Sequence, residues 1–334
     1  MESTEKTPLL GAERPRPATG SPESMELGGV KARSVSMRQS LTILNRLAQT
    51  DMTITLIGET GSGKDVLAHA VHRASPRAQQ HFVVLDCGAV VPNLAESELL
   101  GHERGAFTGA VAQYIGAFER GNGGTLFIDE VGELPLDLQT RLLRVVESRR
   151  VRRVGGSHDR SVDVRLVAAT NRELSLDVAA GRFRQDLYFR LAAAVVRVPP
   201  LRERHDDLEV LVPQLIADLK RPEVKVSPDV LQWMATRTWP RNVRELKNAL
   251  AFALAFVDDG VLDARHFSSL PKNETDETNW VKRLPLGGVS LSSLEHAAIA
   301  QTLAQCGGNK MQAARILGIA VSTLYEKLKR YDIG

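Results

Sequence analysis

The string GETGSGKD at residues 58–65 constrains this chain more than any other feature, because of what stands on either side of it. Residues 53–57, TITLI, read as a short buried strand, and a helical apolar pattern follows Lys64. A glycine-rich turn that ends a strand and opens a helix presents successive backbone N–H groups and the positive end of a helix to a phosphate. Gly58, Glu59, Thr60, Gly61, Ser62, Gly63, Lys64, Asp65 and Val66 form this cradle, with Lys64 expected to reach the β- and γ-phosphates of a nucleotide. Without the strand and the helix, the same string would be only a turn. Asp65 stands where a general phosphate loop has Ser or Thr, so any contact with Mg²⁺ there runs through a carboxylate or a water.

The rest of the first 200 residues repeats this alternation. Met37, Leu41, Leu44 and Ala48 follow helical spacing ahead of the first strand. FVVLD (82–86), TLFID (125–129), VRLVAAT (164–170) and AVVRV (194–198) are further apolar runs separated by helical stretches. Strands separated by helices predict an α/β fold, a parallel sheet between helical layers. After Pro199 and Pro200 the strands stop, and residues 206–220, 228–237 and 242–257 read as helices, with Ser227 before Pro228 as a helix start. The expected organisation is a mobile tail at 1–30, an α/β domain at 31–202 and a wholly helical subdomain at 203–270. A linker at 271–290 and a small helical domain at 291–334 follow. A length of 334 residues with 43% hydrophobic content supports one sizeable core and smaller companions.

Charge and cysteine content narrow the function classes. A net charge of only +3 means that nucleic-acid binding must come from a local basic patch. Cys87 and Cys306, the two cysteines, have no disulfide or zinc spacing, which fits a reducing cytoplasm. The longest apolar run, 249–257, is far too short to cross a bilayer, and the acidic, Pro-rich N-terminus has no signal core, so no membrane association is expected.

Chemistry-bearing residues stand at the ends of the predicted strands. Asp129 and Glu130 follow TLFI at the carboxyl edge of the sheet, where ligands bind in such folds. Beside a phosphate loop, Asp129 is expected to hold Mg²⁺ and Glu130 to polarise an attacking water; alone, the pair would be a solvated turn. Thr170 and Asn171 end another strand, suited to orienting that water or to capping the strand. Arg184 and Arg190, six residues apart, do not share one helical stripe, so they serve different contacts. One reading makes them arginine fingers on a neighbouring subunit, and the other a solvated basic helix.

At this point the chain resembles the AAA+ domain of bacterial enhancer-binding proteins, the activators of sigma-54 RNA polymerase. The resemblance runs over residues 37–270 and rests on the phosphate loop together with ESELLGHERGAFTGA (96–110), GGTLFIDEVGELPLDLQTRLLRV (123–145) and RVGG (153–156). FRQDLYFRL (183–191), PPLRER (199–204) and WPRNVRELKN (239–248) complete it. It implies a homo-hexameric ATPase ring, with dimers possible at rest, in which Arg184 and Arg190 act in trans. Thr170 and Asn171 would form a first sensor and Arg244 a second. The GAFTGA stretch, Gly105, Ala106, Phe107, Thr108, Gly109 and Ala110, would engage the sigma factor, with Phe107 and Thr108 at its tip. From the residues alone, Phe107 is either an apolar contact on a mobile loop or a buried hairpin side chain.

The chain departs from that family at a few positions. Asp65 replaces a frequent Glu. Asp86 occupies a strand end where many members carry Asn, and a carboxylate there would repel Glu130 or share a proton with it, giving a modified resting state. Arg241 replaces a usual Gly in the Trp-Pro-Gly-Asn turn, where a left-handed backbone would be strained.

The C-terminal segment resembles a Fis-type helix-turn-helix. Ala314 and Leu317 pack one helix, Gly318 allows the turn, and 322–330 forms the candidate recognition helix. That match directs Ser322, Thr323 and Tyr325 toward bases and Lys310, Arg315, Lys327, Lys329 and Arg330 toward phosphates. A plain helical bundle with a basic face is the other reading. Val321 and Glu326 stand where members often carry basic residues, so a weak reader that gains from avidity is expected.

The expected function is a sigma-54-dependent activator that binds enhancer DNA, forms a hexamer and couples ATP hydrolysis, with Mg²⁺, to open-complex formation by the polymerase holoenzyme. The alternative is a DNA-binding repressor or sigma-70-type regulator that uses the AAA+ domain as an oligomerisation scaffold. Residues 1–30 hold no sensory domain, so a separate regulatory protein, or regulated expression, is expected to supply control.

Overall fold

A computed structural model describes residues 24–90, 92–258, 260–267, 291–306 and 309–331. The chain divides into two compact units, 1–270 and 271–334.

The larger unit is built on five parallel strands: β3 (Ile54–Ile57), β4 (Phe82–Asp86), β7 (Thr125–Asp129), β10 (Arg165–Thr170) and β11 (Ala194–Arg197). Their order across the sheet is β11-β3-β10-β7-β4. The two-residue period of a strand distributes their side chains between two cores. Leu126, Ile128, Leu166 and Ala168 enter one core, packed with α3 (Pro92–Leu100), α5 (Leu136–Ser148) and α7 (Gln185–Leu191). Phe127, Val167 and Ala169 enter the other with Ile54 and Leu56, against α1 (Val35–Ala48) and α2 (Lys64–Arg73). Being covered on both faces explains why the inner strands β3, β10 and β7 are continuous apolar runs without polar alternation.

A charged residue sits inside this framework for a local reason. Arg165, 2% exposed, donates to the carbonyls of Leu47 at 2.8 Å and Ala48 at 2.7 Å in the last turn of α1, where Leu47 also accepts the Thr50 N–H at 3.0 Å. Burial draws its pKa downward, and the helix terminus supplies the compensating acceptors.

The structure extends or corrects the sequence reading in three places. The expected tail reaches residue 30, yet β1 (Met25–Leu27) and β2 (Val30–Ala32) form an antiparallel hairpin across Gly28 and Gly29, both at positive φ. Leu27 and Ala32 bury themselves in the α1–α2 core, a contact the polar composition around them hides. The helical subdomain contains α8 (Leu208–Asp218), α9 (Pro228–Ala235) and α10 (Asn242–Leu254), packed around Trp239 and Phe267. It is not wholly helical, because β12 (Lys225–Val226) pairs in parallel with β13 (Val261–Leu262). Arg241 has φ −104°, so the strain foreseen there falls on its neighbours Trp239 (φ 48°) and Asn242 (φ 55°).

The smaller unit has helices Leu291–Gln305, Lys310–Ile316 and Val321–Tyr331. Ile299, Leu303, Ala313, Ala314, Leu324 and Leu328 make its core, and Gly318 takes φ 68° at the turn. The expected linker 271–290 lies outside the described residues.

Candidate functional site: a phosphate loop facing three strand ends

The strand order brings the predicted residues together. The carboxyl ends of β3, β10, β7 and β4 lie side by side, carrying in turn the phosphate loop, Thr170 and Asn171, Asp129 and Glu130, and Asp86. Thr170 is opposite Ile57 and Asp86 opposite Asp129 in the ladder, and the Gly58 N–H donates to the Thr170 carbonyl at 3.2 Å.

The loop has the shape its glycines permit. Gly61 (φ 75°) and Gly63 (φ 95°) are left-handed, and Gly63 precedes α2 directly, so the first N–H groups of that helix face the loop. A side chain at Gly61 would come within 2.3 Å of the Arg241 carbonyl oxygen, whereas one at Gly63 would meet nothing within 4 Å. Lys64, 6% exposed, folds onto the loop itself, donating to the carbonyls of Gly58 at 2.9 Å and Glu59 at 3.3 Å. Asp65 is exposed in the first turn of α2, and Val66 is exposed beside it.

The acids facing the loop are held in distinct ways. Asp129 Oδ1 accepts the Glu130 N–H at 2.9 Å, and Glu130 itself is left-handed at φ 49°. Glu130 Oε2 is buried with no hydrogen-bond partner in the structure, as is Ser62 Oγ. Burial is the leading cause that pushes both carboxyls above their ordinary range; Lys64 opposes it in each case. Asp86 Oδ1 accepts the N–H groups of Gly88 at 2.9 Å and Ala89 at 3.2 Å. No hydrogen bond joins Asp86 to Glu130 among the described residues. The charge of Asp86 bears instead on Asp129 and on Cys87, whose thiol burial and the surrounding carboxylates push up to about 12.

Thr170 is fully buried, its hydroxyl accepting the Arg172 N–H at 3.0 Å, while exposed Asn171 donates to Thr60 Oγ1 at 3.2 Å. Arg244 lies on α10 with its Cβ 2.9 Å from where a Gly61 side chain would begin. Arg184 and Arg190 do not join this group. Arg184 grips Asp186, two residues on, at 3.1 and 2.7 Å, and Arg190 pairs with Glu147. Both are exposed.

Residues 105–110 form a closed turn away from these strand ends. Gly105 (φ 80°) donates to the Ala110 carbonyl at 2.8 Å, and Gly109 takes φ 105°. Phe107 is neither free nor buried; it is 37% exposed, with its ring edge-on to His102 at 4.9 Å. Thr108 is exposed and Ala110 buried. Beneath the turn, Arg153 makes two hydrogen bonds to Glu119 at 2.6 and 2.7 Å and one to Glu103 at 3.2 Å. A side chain at Gly155 would touch Ala106 at 2.8 Å.

Sequence reasoning gave no role to four residues that the structure brings to the loop or beside it. Arg202 and Arg204 of PPLRER reach Glu59 and the Ser62 carbonyl, and Asn242 reaches Glu59 and the Thr60 carbonyl. Buried Asp207 accepts from the N–H groups of Arg33 and Ser34, tying the N-terminal hairpin to the helical subdomain. The motifs containing Arg202, Arg204 and Asn242 were visible, but their targets lie more than 140 positions away.

In the small unit, Ser322, Tyr325, Lys329 and Arg330 are exposed and Thr323 half-buried. Lys327 forms an ion pair with Glu295 at 2.6 Å, and Lys310 sits 5.3 Å from the centre of the Tyr325 ring. The side chain of Arg315 lies outside the described residues.

A glycine-rich loop facing a half-buried acid pair, with a helical subdomain pressed on the loop, defines a nucleotide-binding AAA+ ATPase fold. Residues 30–197 match the family described as the Sigma-54 interaction domain, 202–282 the AAA+ ATPase lid domain, and 290–331 the bacterial regulatory proteins of the Fis family. The chain belongs to the sigma-54 activator family. It is 41% identical over 309 residues to the transcriptional regulatory protein ZraR of Klebsiella oxytoca, covering 90% of this chain and 69% of the relative. It is 39% identical to a Nif-specific regulatory protein of Enterobacter agglomerans, covering 90% and 59%. With the hydrogenase transcriptional regulatory protein HoxA of Cupriavidus necator it shares 41% identity, covering 86% and 62%. The chain thus spans about three fifths to two thirds of these relatives' lengths. A crystal structure of NtrX from Brucella abortus in complex with ATP is similar at TM-score 0.66 and 29% identity, covering 92% of this chain and 70% of that one. Among the described residues, no helix is long and apolar enough to cross a membrane.

Proposed function

We infer that this chain is an ATP-driven activator of sigma-54 RNA polymerase holoenzyme, acting in the cytoplasm from enhancer DNA as a homo-hexamer. The convergence of the phosphate loop with Asp129, Glu130 and Asn171 on neighbouring strand ends carries the reading. Gly58 through Val66 would bind the phosphates, with Lys64 leaving its two carbonyl contacts for the β- and γ-phosphoryl oxygens. Orphaned Ser62 Oγ and Glu130 Oε2, buried without partners, fit a site completed by a ligand and its waters. No cluster of three His, Cys, Asp or Glu side chains that could hold a metal occurs among the described residues. A cation held by Asp129, by Asp65 through water and by phosphate oxygens suits Mg²⁺, which keeps most of its waters. When bound, that ion supplies positive charge against the negative charge of the transferring phosphoryl group.

Glu130 is the general base that orients and deprotonates the attacking water, and Asn171 positions that water from the next strand end. Thr170 acts indirectly, by shaping the Arg172 backbone beneath Asn171. Arg244 reads the nucleotide from the helical subdomain. Arg184 and Arg190 complete a neighbouring protomer's site, which their separation from their own phosphate loop supports. Phe107 and Thr108 present the GAFTGA turn to the sigma factor, and the Arg153–Glu119 clamp holds the turn's base. In the 291–334 domain, Ser322, Thr323 and Tyr325 face bases, while Lys310, Arg315, Lys329 and Arg330 meet phosphates. Lys327 would first have to leave Glu295.

Capture of purified sigma-54 in the presence of ATP and a phosphoryl transition-state mimic tests the turn's role. Wild-type protein is expected to retain the factor. Phe107→Ala and Thr108→Ala are expected to lose it while hydrolysing ATP within about threefold of wild type, as for an exposed residue remote from chemistry. Retention by both variants would remove the turn from the proposed interface.

A further inference from the structure

The helical subdomain does more than cover the phosphate loop; it holds four successive loop residues one by one. Glu59 receives two hydrogen bonds from Arg202, at 2.8 and 2.6 Å, and a third from Asn242 Nδ2 at 3.1 Å. The same Asn242 amide nitrogen donates to the Thr60 carbonyl at 3.2 Å. The Gly61 carbonyl accepts the Val243 N–H at 2.9 Å, and the Ser62 carbonyl accepts from Arg204 at 2.6 Å. Asn242 is itself fixed, fully buried and left-handed, with its Oδ1 accepting the Leu201 N–H at 2.7 Å. The grip therefore links residues 201–204 and 242–243 as one piece to residues 59–62.

Glu59 is the anomalous member. A carboxylate in a loop built to attract phosphate oxygens opposes the loop's purpose unless its charge is cancelled. Lys64, the nearest loop cation, would be engaged by phosphate when nucleotide binds. Arg202 then remains as the counter-charge, in a planar two-bond pairing that suits guanidinium and carboxylate. The Arg202 pairing is the leading reason the Glu59 carboxyl lies below its ordinary range, so it is ionised.

We propose that Arg202 is a positioning residue for nucleotide, neutralising Glu59 and coupling the helical subdomain to the shape of the phosphate loop. This inference rests on the nucleotide reading of the site. Asn242, Val243 and Arg204 set the backbone, and Arg202 sets the charge. Removing Arg202 leaves the Glu59 carboxylate without its counter-charge, held by Asn242 alone, whereas removing both charges does not. The pair's side chains are 41% and 42% exposed, so its loss costs the fold little.

Equilibrium binding of a fluorescent ADP analogue to the full chain tests the charge argument. Arg202→Ala is expected to weaken binding by about tenfold, the scale of one uncompensated charge near a protein surface. Its melting temperature without nucleotide should stay at the wild-type value. The double variant Glu59→Gln/Arg202→Ala is expected to recover most of the lost affinity, and Arg202→Lys to retain part of it. Unchanged binding in Arg202→Ala, or a double variant no better than the single one, overturns the proposal. Wild-type protein that binds no analogue overturns the nucleotide reading itself, and this inference with it.

Discussion

Glu130→Gln is expected to keep nucleotide bound while ATP turnover falls by about a hundredfold or more, the scale of losing a positioned general base. The backbone sets where the carboxylate of this proposed base stands. Glu130 adopts φ 49°, an unfavourable conformation for a residue with a side chain, at the point where β7 leaves the sheet. One of its oxygens is buried without a partner and is left for a water, while the Asn171 backbone N–H bears on the carboxyl. Burial is also the chief cause that lifts its pKa above the ordinary glutamate range. A base must be ionised to work, so the acid limb of the pH–rate profile should lie above the ordinary carboxylate range, and Gln should abolish that limb.

Stability supplies an independent check with a definite sign. A carboxyl whose folded pKa exceeds its unfolded value makes the native state the better proton binder, so stability is lost as pH rises from the unfolded pKa through the folded one. At neutral pH the Gln variant should therefore melt at or above the wild-type temperature, which separates lost chemistry from lost folding. Steady-state phosphate release and thermal melts across a pH series that starts in the ordinary carboxylate range and runs upward measure both. Wild-type turnover in the Gln variant would move the base to another residue.

Arg184→Ala is expected to reduce turnover by about a thousandfold, the lower range for removing an arginine finger. In the single chain this guanidinium is held by Asp186, two residues away. No described hydrogen bond or ion pair joins it to its own phosphate loop. A side chain that waits on a neighbouring carboxylate can be released to a second subunit's nucleotide. Mixing gives the decisive readout: Arg184→Ala protein keeps an intact loop, Lys64→Ala protein keeps an intact arginine, and both should be nearly inactive alone. Their mixture should exceed the sum of the two, because some interfaces then pair a good loop with a good arginine. Activity that merely adds would place Arg184 outside any shared site.

Elements governed by local pattern were readable from sequence, and elements governed by distant partners were not. The three inner strands β3, β10 and β7 are buried on both faces and show as apolar runs, and the outer strands β4 and β11 stay apolar although Val84 and Val195 are exposed. Asp129, Glu130, Asn171 and the loop followed because ligands gather at strand ends. The β1–β2 hairpin was hidden because only Leu27 and Ala32 bury deeply, too few to show a period. Two-residue ladders such as β12–β13 carry no pattern at all. The left-handed backbone expected at Arg241 falls instead at Trp239 and Asn242, and at Asn242 it lets one side chain reach Glu59, Thr60 and Leu201 together. Asp86 makes no described hydrogen bond to Glu130, and its Oδ1 accepts two N–H groups of its own turn, a local contact that strand periodicity does not show. Phe107 falls between its two sequence readings, because His102 packs one edge of the ring and leaves the rest in solvent.

This chain is proposed to convert ATP hydrolysis into promoter opening through the 105–110 turn. Open-complex formation by purified sigma-54 polymerase on an enhancer-bearing promoter, compared with ATP, with a non-hydrolysable analogue and with Thr108→Ala, tests it most directly. Opening is expected with wild-type protein and ATP alone, and neither the analogue nor the variant should support it. Opening with the analogue, or ATP hydrolysis without opening by the wild-type chain, would contradict the claim.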